Sequence, residues 1–255
     1  LPEEYELITS IAIFFELDDP VPFCLDIGSL LSEKGVWCLE MNYLPLMLRD
    51  GAFDFICHEH VALWSLRTLE IALDWAGLEV FHASLNAING GSLRAYIGHP
   101  GQHPIHPGVS ALRETEGEGI PELTQLFFCE RVSDTRRGLS MFVGDLCAQG
   151  KRVYAYGAST RGATLLQAAG LNDKQIVAAL DRNPEKVGRI IAGTGIPIIS
   201  EEEGRAAKPD YLLILPWSFA DSFIERERGL ADQGTRFIVP LPDLRVLPGG
   251  TGECA

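Results

Sequence analysis

Nowhere do the 255 residues reach the roughly 18 consecutive apolar residues of a membrane-spanning helix, and no signal-peptide pattern is visible. Basic charge is scarce: 21 Lys and Arg against 35 Asp and Glu give a net charge of -14. A broad nucleic-acid or anionic-membrane surface is thereby excluded, and an anionic ligand needs a local basic pocket. The six cysteines, Cys24, Cys38, Cys57, Cys129, Cys147 and Cys254, form no C-x-x-C pair. They read as reduced, buried thiols of a cytoplasmic protein, not as a disulfide or zinc framework. Short repeats and low-complexity tracts are missing too.

What is present is ordinary globular material, 46% hydrophobic and 22% charged, enough for two domains. Tyr5 to Phe15 predicts a buried strand, Phe23 to Leu31 a helix ended by Lys34-Gly35, and Val36 to Leu39 a second strand, together a strand-helix-strand unit of a parallel sheet. No glycine-rich turn precedes this unit, and the chain opens at Leu1, so the first half of a nucleotide-binding sheet is expected to be missing. Ser65 is placed to cap a helix over 66–76, followed by a strand over 77–81. The Asn89-Gly90-Gly91 turn leads into an alternating strand that ends at Ile97, and His99 to Pro107 reads as an extended loop. An amphipathic helix from about Pro121 to Gln149 serves as a connector. Strands at 151–156, 176–180, 210–215 and 236–239, with a helix over 218–233, describe a second doubly wound domain.

Three stretches carry chemistry. In His58-Glu59-His60, an extended backbone would put both histidines on one side and Glu59 on the other. A solvated loop end and a His-x-His metal pair are both open readings, but without a nearby third ligand general acid-base work suits histidine better. Gly90-Gly91-Ser92, with Arg94 beyond it, resembles an oxyanion-holding turn. Gly157-Ala-Ser-Thr-Arg-Gly162 follows a strand and opens a helix. It has the outer spacing of a P-loop, yet Ala163 stands where the phosphate lysine belongs, which argues against an NTPase. The middle glycine of a dinucleotide fingerprint is absent as well, although Asp181 stands near the distance for a ribose hydroxyl. A helix N-terminus with Ser159, Thr160 and Arg161 remains, suited to a phosphate or sugar, or to a turn needed only for packing.

Cys57-His-Glu-His60, Gly90-Gly-Ser-Leu-Arg94, Tyr156-Gly-Ala-Ser-Thr-Arg-Gly162, Asp181-Arg-Asn-Pro-Glu-Lys-Val-Gly188 and Leu215-Pro-Trp-Ser-Phe219 occur in one order. In this the chain resembles the S-adenosylmethionine-dependent C-methyltransferases that act at C3 of nucleotide-linked 4-keto-deoxysugars. The resemblance implies an α/β chain: the C-terminal part of a methyltransferase domain over 1–108, a helical connector over 109–150, and a Rossmann-like sugar-nucleotide domain over 151–255. It implies S-adenosylmethionine as methyl donor, with the donor loop and a zinc-binding domain belonging to a missing N-terminal part. It further implies His60 as base, Glu59 orienting it or shuttling protons, and His58 as a nearby donor. Ser92, Arg94, Ser159, Thr160, Arg161 and Asp181 would hold the nucleotide-linked keto-sugar. The family's usual tyrosine is Cys57 here. The competing expectations are a non-catalytic nucleotide-sugar-binding module and a nicotinamide-dependent oxidoreductase.

Overall fold

The computed structural model describes residues 4–248, and Cys254 lies outside them. The chain is α/β and divides into two compact units. One comprises the chain up to Arg49 with His58–Leu126, the other Asp50–Cys57 with the chain from Phe127 onward.

In the first unit, strand β1 (Tyr5–Ile11) is followed by a 3-10 turn at Phe14–Glu16, helix α1 (Pro20–Leu30) and strand β2 (Leu31–Asn42). The Asp19 carboxylate caps α1 by accepting from the Val21 amide at 3.3 Å, and proline at the first helical position suits that start. Strand β1 runs parallel to β2, as the strand-helix-strand pattern requires. Two expectations need correction. The strand stops at Ile11, and it is largely exposed, because it lies at the edge of the described sheet. Gly35 does not end a helix but sits inside β2, where a Cβ would come within 2.7 Å of the Tyr5 carbonyl oxygen. A glycine there permits the close approach of two backbones.

Helix α2 (Leu44–Asp50) and a 3-10 turn at Phe53–Phe55 come next, then α3 (Leu66–Asp74), β3 (Glu79–Asn86), β4 (Ser92–Gly98) and α4 (Pro107–Glu116). Ser65 caps α3 in a reciprocal arrangement with Thr68, as its position predicts. The sheet order is β1-β2-β4-β3, with β4 antiparallel to both neighbours. Alternation gives it two unlike faces. Trp37, Leu39 and Met41 stand opposite Ile97, Ala95 and Leu93, all buried, whereas Cys38, Glu40 and Asn42 stand opposite Tyr96, Arg94 and Ser92.

The second unit holds most of the long helix α5 (Glu122–Ala148), which buries only Leu139, Val143 and Leu146, one stripe of its C-terminal turns. Its earlier apolar residues Leu123, Leu126 and Phe127 are exposed, so the amphipathic expectation holds for the last turns alone. The unit continues through β5 (Val153–Tyr156), α6 (Thr160–Ala168), β6 (Ile176–Asp181), β7 (Ile198–Ser200), α7 (Glu201–Ala206), β8 (Tyr211–Ile214), α8 (Ala220–Arg226), α9 (Arg228–Ala231), β9 (Arg236–Val239) and β10 (Arg245–Leu247). Its sheet order is β10-β9-β8-β5-β6-β7, parallel except for β10. The order reverses between β5 and β8, both buried along their full length, as strands covered on both faces must be. The single helix expected over 218–233 is broken at Glu227. Among the described residues no helix is long and apolar enough to cross a membrane.

Candidate active site

His58 and Glu59 form a turn, not the extended segment that alternation assumed, and both are exposed. His60 leaves the turn half-buried, its ring edge-on to Phe15 with centroids 4.6 Å apart. The Phe15 carbonyl accepts from the amides of Val61 at 2.9 Å and Ala62 at 3.2 Å, which fixes the backbone just after His60 against the buried 3-10 turn of Phe14 and Phe15. The imidazole is therefore held by local structure at a half-buried position. Among the described residues no group of three or more His, Cys, Asp and Glu is arranged to hold a metal ion.

Ser92 and Arg94 lie on the polar face of the first sheet. The buried Ser92 hydroxyl donates to the Ile88 carbonyl at 2.9 Å and so closes the glycine turn. Arg94 pairs with Glu40 through Nε at 2.7 Å and Nη2 at 2.6 Å, and Asn86 donates to the same carboxylate oxygen at 3.0 Å. Glu40 is 3% exposed, so Arg94 is first of all the counter-ion of a buried acid.

Around Gly157 the amides are used internally. The Gly157 N–H donates to the Leu180 carbonyl at 2.7 Å, Ala158 N–H to the Asp181 Oδ2 at 2.9 Å, and Gly162 N–H to the Ser159 Oγ at 3.1 Å. Asp181 Oδ1 accepts from the Asn183 amide at 2.9 Å, and Lys186 Nζ lies 3.5 Å from Oδ2. Burial alone would raise its pKa, but the Asn183 and Ala158 amides and Lys186 outweigh it and bring the carboxyl below its ordinary range. Both oxygens of Asp181 thus tie the turn together. Ser159 is exposed at the helix cap and keeps a hydroxyl proton to donate, with Thr160 next to it at the first helical position. Arg161 points into the protein: its guanidinium pairs with buried Asp54, with Nε at 2.9 Å and Nη2 at 2.7 Å.

Residues 87–242 match the family model described as the C-methyltransferase C-terminal domain. The chain belongs to that family. It is also 35% identical over 224 residues to the C-methyltransferase NovU of Streptomyces niveus, a match that covers 87% of this chain and 53% of NovU. The chain spans about half the length of that curated relative. The family match begins at residue 87, downstream of His58-Glu59-His60, and includes both glycine turns.

Within the family domain the structure shows a cluster that sequence reading missed. Tyr156, the last residue of β5, has its hydroxyl 2.8 Å from both Glu201 and Glu227, which share its single proton, and it accepts from the Arg226 guanidinium. Arg205 forks onto Glu227 with Nε at 2.8 Å and Nη2 at 2.6 Å, and reaches Glu201 at 2.8 Å. Burial pushes the Tyr156 phenol well above its usual range, reinforced by the two acids against the opposing pull of Arg226. Glu227, whose burial would raise it, is brought below the usual carboxylate range by Arg205, Tyr156 and Arg226. Beside this network a cavity of about 180 Å³ opens, lined by Tyr156, Gly157, Asp181, Arg182, Phe223 and Arg226. No local motif announces the network, because Glu201 and Arg205 come from α7, Arg226 from the end of α8 and Glu227 from the break after it, while Tyr156 ends a strand.

Thiol placement also needs correction. None of the five described cysteines is in a disulfide, but only Cys24 is buried, and burial pushes its thiol up to about 11. Cys129 is exposed on α5, and Cys38, Cys57 and Cys147 are half-buried.

Proposed function

We propose that the protein acts as an S-adenosylmethionine-dependent C-methyltransferase on a nucleotide-linked 4-keto-deoxysugar, the membership of 87–242 in the C-methyltransferase C-terminal domain family being the observation that carries this reading. A carbon beside a ketone must lose a proton before it can attack a methyl group, and such a carbon is a far weaker acid than an imidazolium. The base must be held close to that C–H, and the enolate oxygen must be met by donors as charge develops there. His60 is the base in this reading: it is half-buried, and its ring is steadied against Phe15. Glu59 and His58, one turn earlier and in solvent, relay the proton away and complete the donor set. Such a base contributes about 10² to 10⁴-fold, and a preorganised donor at the enolate oxygen about 10² to 10³-fold more.

Ser159 and Thr160, at the start of α6, are the hydroxyls that hold the nucleotide-sugar. Arg161 and Asp181 serve by shaping the turn that carries these hydroxyls, and Ser92 and Arg94 by shaping the glycine turn of the first unit. The donor supplies an electrophilic methyl group on sulfonium. The β1–α1 turn, residues 12–19, has no glycine and buries Phe14 and Phe15, and the steps assigned to this chain are those of the sugar carbon. The free thiols suit a cytoplasmic enzyme.

The test is incubation of the protein with S-adenosylmethionine and a panel of nucleotide-linked 4-ketosugars, with mass spectrometry for the gain of one methyl. His60→Ala should lower the rate by at least about 10²-fold. Tight nucleotide-sugar binding with no methyl gain by the unaltered protein would replace this reading with that of a non-catalytic binding module.

A further inference from the structure

We propose that Asp54 is a positioning residue for the proton-transfer motif, acting through a buried clamp with Arg161 and Trp217. All three belong to the second unit. The proposal rests on the reading of His60 as base.

Two donors converge on one carboxylate oxygen of Asp54, Arg161 Nε at 2.9 Å and Trp217 Nε1 at 3.0 Å, and Arg161 Nη2 adds an ion-pair contact to the same oxygen at 2.7 Å. The other oxygen, Oδ1, is buried and has no hydrogen-bond partner among the described residues. Asp54 is 1% exposed, between the buried Phe53 and Phe55. A third apolar residue would fill this place without desolvating a charge. Exchanging a buried ion pair for apolar groups is often neutral or stabilising, so the pair's contribution lies in geometry more than in stability.

That geometry is specific. Arg161 leaves the first turn of α6, directly after β5, and Trp217 leaves the 3-10 turn after β8. These are the two neighbouring strands at which the strand order reverses, where sheets of this kind take their ligands. The α6 start is tight against the β8 loop, since a Cβ on Gly162 would meet the Leu215 side chain at 2.9 Å. The guanidinium carbon of Arg161 sits 4.9 Å from the centre of the Phe55 ring and 5.8 Å from that of Trp217, which restricts it to the plane between them. The protein's own carboxylate thus occupies the position an anionic ligand group would take in such a sheet, and it pins the Phe53–Phe55 turn there.

From the clamp to the motif the backbone has little freedom. The Ile56 amide donates to the Phe53 carbonyl at 3.0 Å and the Cys57 amide to the Phe55 carbonyl at 3.1 Å. His58 follows at once. Fixing Asp54 therefore fixes the point from which His58-Glu59-His60 sets out, and a displacement of about 1 Å at a catalytic group can cost on the order of 10²-fold in rate.

The experiment uses the full-length protein and two readouts. The first is solvent deuterium exchange at the carbon beside the ketone of a nucleotide-linked 4-ketosugar, with the methyl donor omitted. The second is amide hydrogen exchange of the peptide spanning Ile56 to Val61. Asp54→Asn should slow carbon exchange by about ten- to hundredfold with KM for the sugar changed by less than about threefold, and should raise amide exchange in that peptide while α6 and β5 keep their protection. Arg161→Lys, which keeps the charge and loses the fork, should fall between Asp54→Asn and the unaltered protein. Trp217→Phe, which removes one of the two hydrogen-bond donors and leaves the ion pair, should have a smaller effect of the same kind. His60→Ala should abolish carbon exchange and leave amide protection intact; carbon exchange unchanged in that variant removes His60 as base and leaves the clamp to be judged on the amides. Amide protection of the Ile56–Val61 peptide as in the unaltered protein, in a folded Asp54→Asn, overturns the proposal whatever the sugar shows. If Asp54→Asn does not fold, Arg161→Lys and Trp217→Phe decide by the same readouts.

Discussion

Two buried carboxylates, Glu40 on the first sheet and Asp54 in the second unit, each hold an arginine, and they hold it under different conditions. Glu40 takes Arg94 and Asn86 on a polar sheet face, and the Arg94 side chain is 40% exposed. Asp54 takes Arg161 and Trp217 beside the rings of Phe55 and Trp217, with the Arg161 side chain 19% exposed and one carboxylate oxygen without a partner among the described residues. Water can reach Arg94 and screen its pair, but it scarcely reaches Arg161. The first pair satisfies an acid on a surface, whereas the second fixes three segments in one geometry. An arginine near a glycine turn is thus not by itself a ligand site; the acid behind it decides what it does.

The comparison breaks most sharply by removing the arginines. Arg161→Met should leave the Asp54 charge buried with only the Trp217 indole, a loss of about 3–5 kcal/mol. Arg94→Met leaves the buried Glu40 its Asn86 partner and removes an arginine whose side chain is already 40% exposed, so its loss should be the smaller. Urea denaturation of both variants checks the order. Equal losses would show that exposure does not separate the two pairs.

A smaller effect, dependent on pH, is expected at Glu227. Its folded-state pKa lies below the ordinary carboxylate value, so the unfolded chain binds the proton first and stability rises with pH across that window. The contribution is present above the unfolded pKa of about 4.3 and is lost as pH falls through the folded one. Glu227→Gln should therefore be less stable than the unaltered protein at neutral pH by about 2 kcal/mol. The gap should narrow as the solution is made acid. A gap that stays constant from neutral to acid pH would mean that the Arg205 and Arg226 contacts add nothing by charge.

What could be read from the sequence was local. The turn at Gly157, the helix it opens and the cap at Ser65 depend on residues within a few positions, and all three are in place. Strand β7, three residues long, and the Ser200-capped helix after it were too short to leave a periodic signal. The partners of Asp54 lie 107 and 163 positions away, and Arg94 lies 54 from Glu40, so no window of sequence contains either cluster. The one available signal was an acid between two phenylalanines, Phe53-Asp54-Phe55, since a charge in an apolar run requires a partner from somewhere. The break in the helix expected over 218–233 has the same origin. Glu227 is 2% exposed and turned inward to Tyr156 and Arg205, which helical periodicity does not reveal.

The smallest expected effect separates a cap from a ligand group. Ser159 and Ser200 both cap helices of the second unit, Ser159 accepting from the Gly162 amide at 3.1 Å and Ser200 from the Glu203 amide at 3.1 Å. Ser200 also has its backbone amide held by the Glu203 carboxylate at 3.0 Å, so its hydroxyl belongs to a closed reciprocal pair. Ser159 has no such return bond among the hydrogen bonds given by its cap, and its hydroxyl proton can be offered outward. Replacing either by alanine should lower stability by about 1 kcal/mol, the ordinary loss of a helix cap. Only Ser159→Ala should in addition raise KM for the nucleotide-sugar. Thermal unfolding and KM measured on the same two variants therefore split the cap from the ligand contact, and an unchanged KM in Ser159→Ala would leave that hydroxyl as a cap and nothing more.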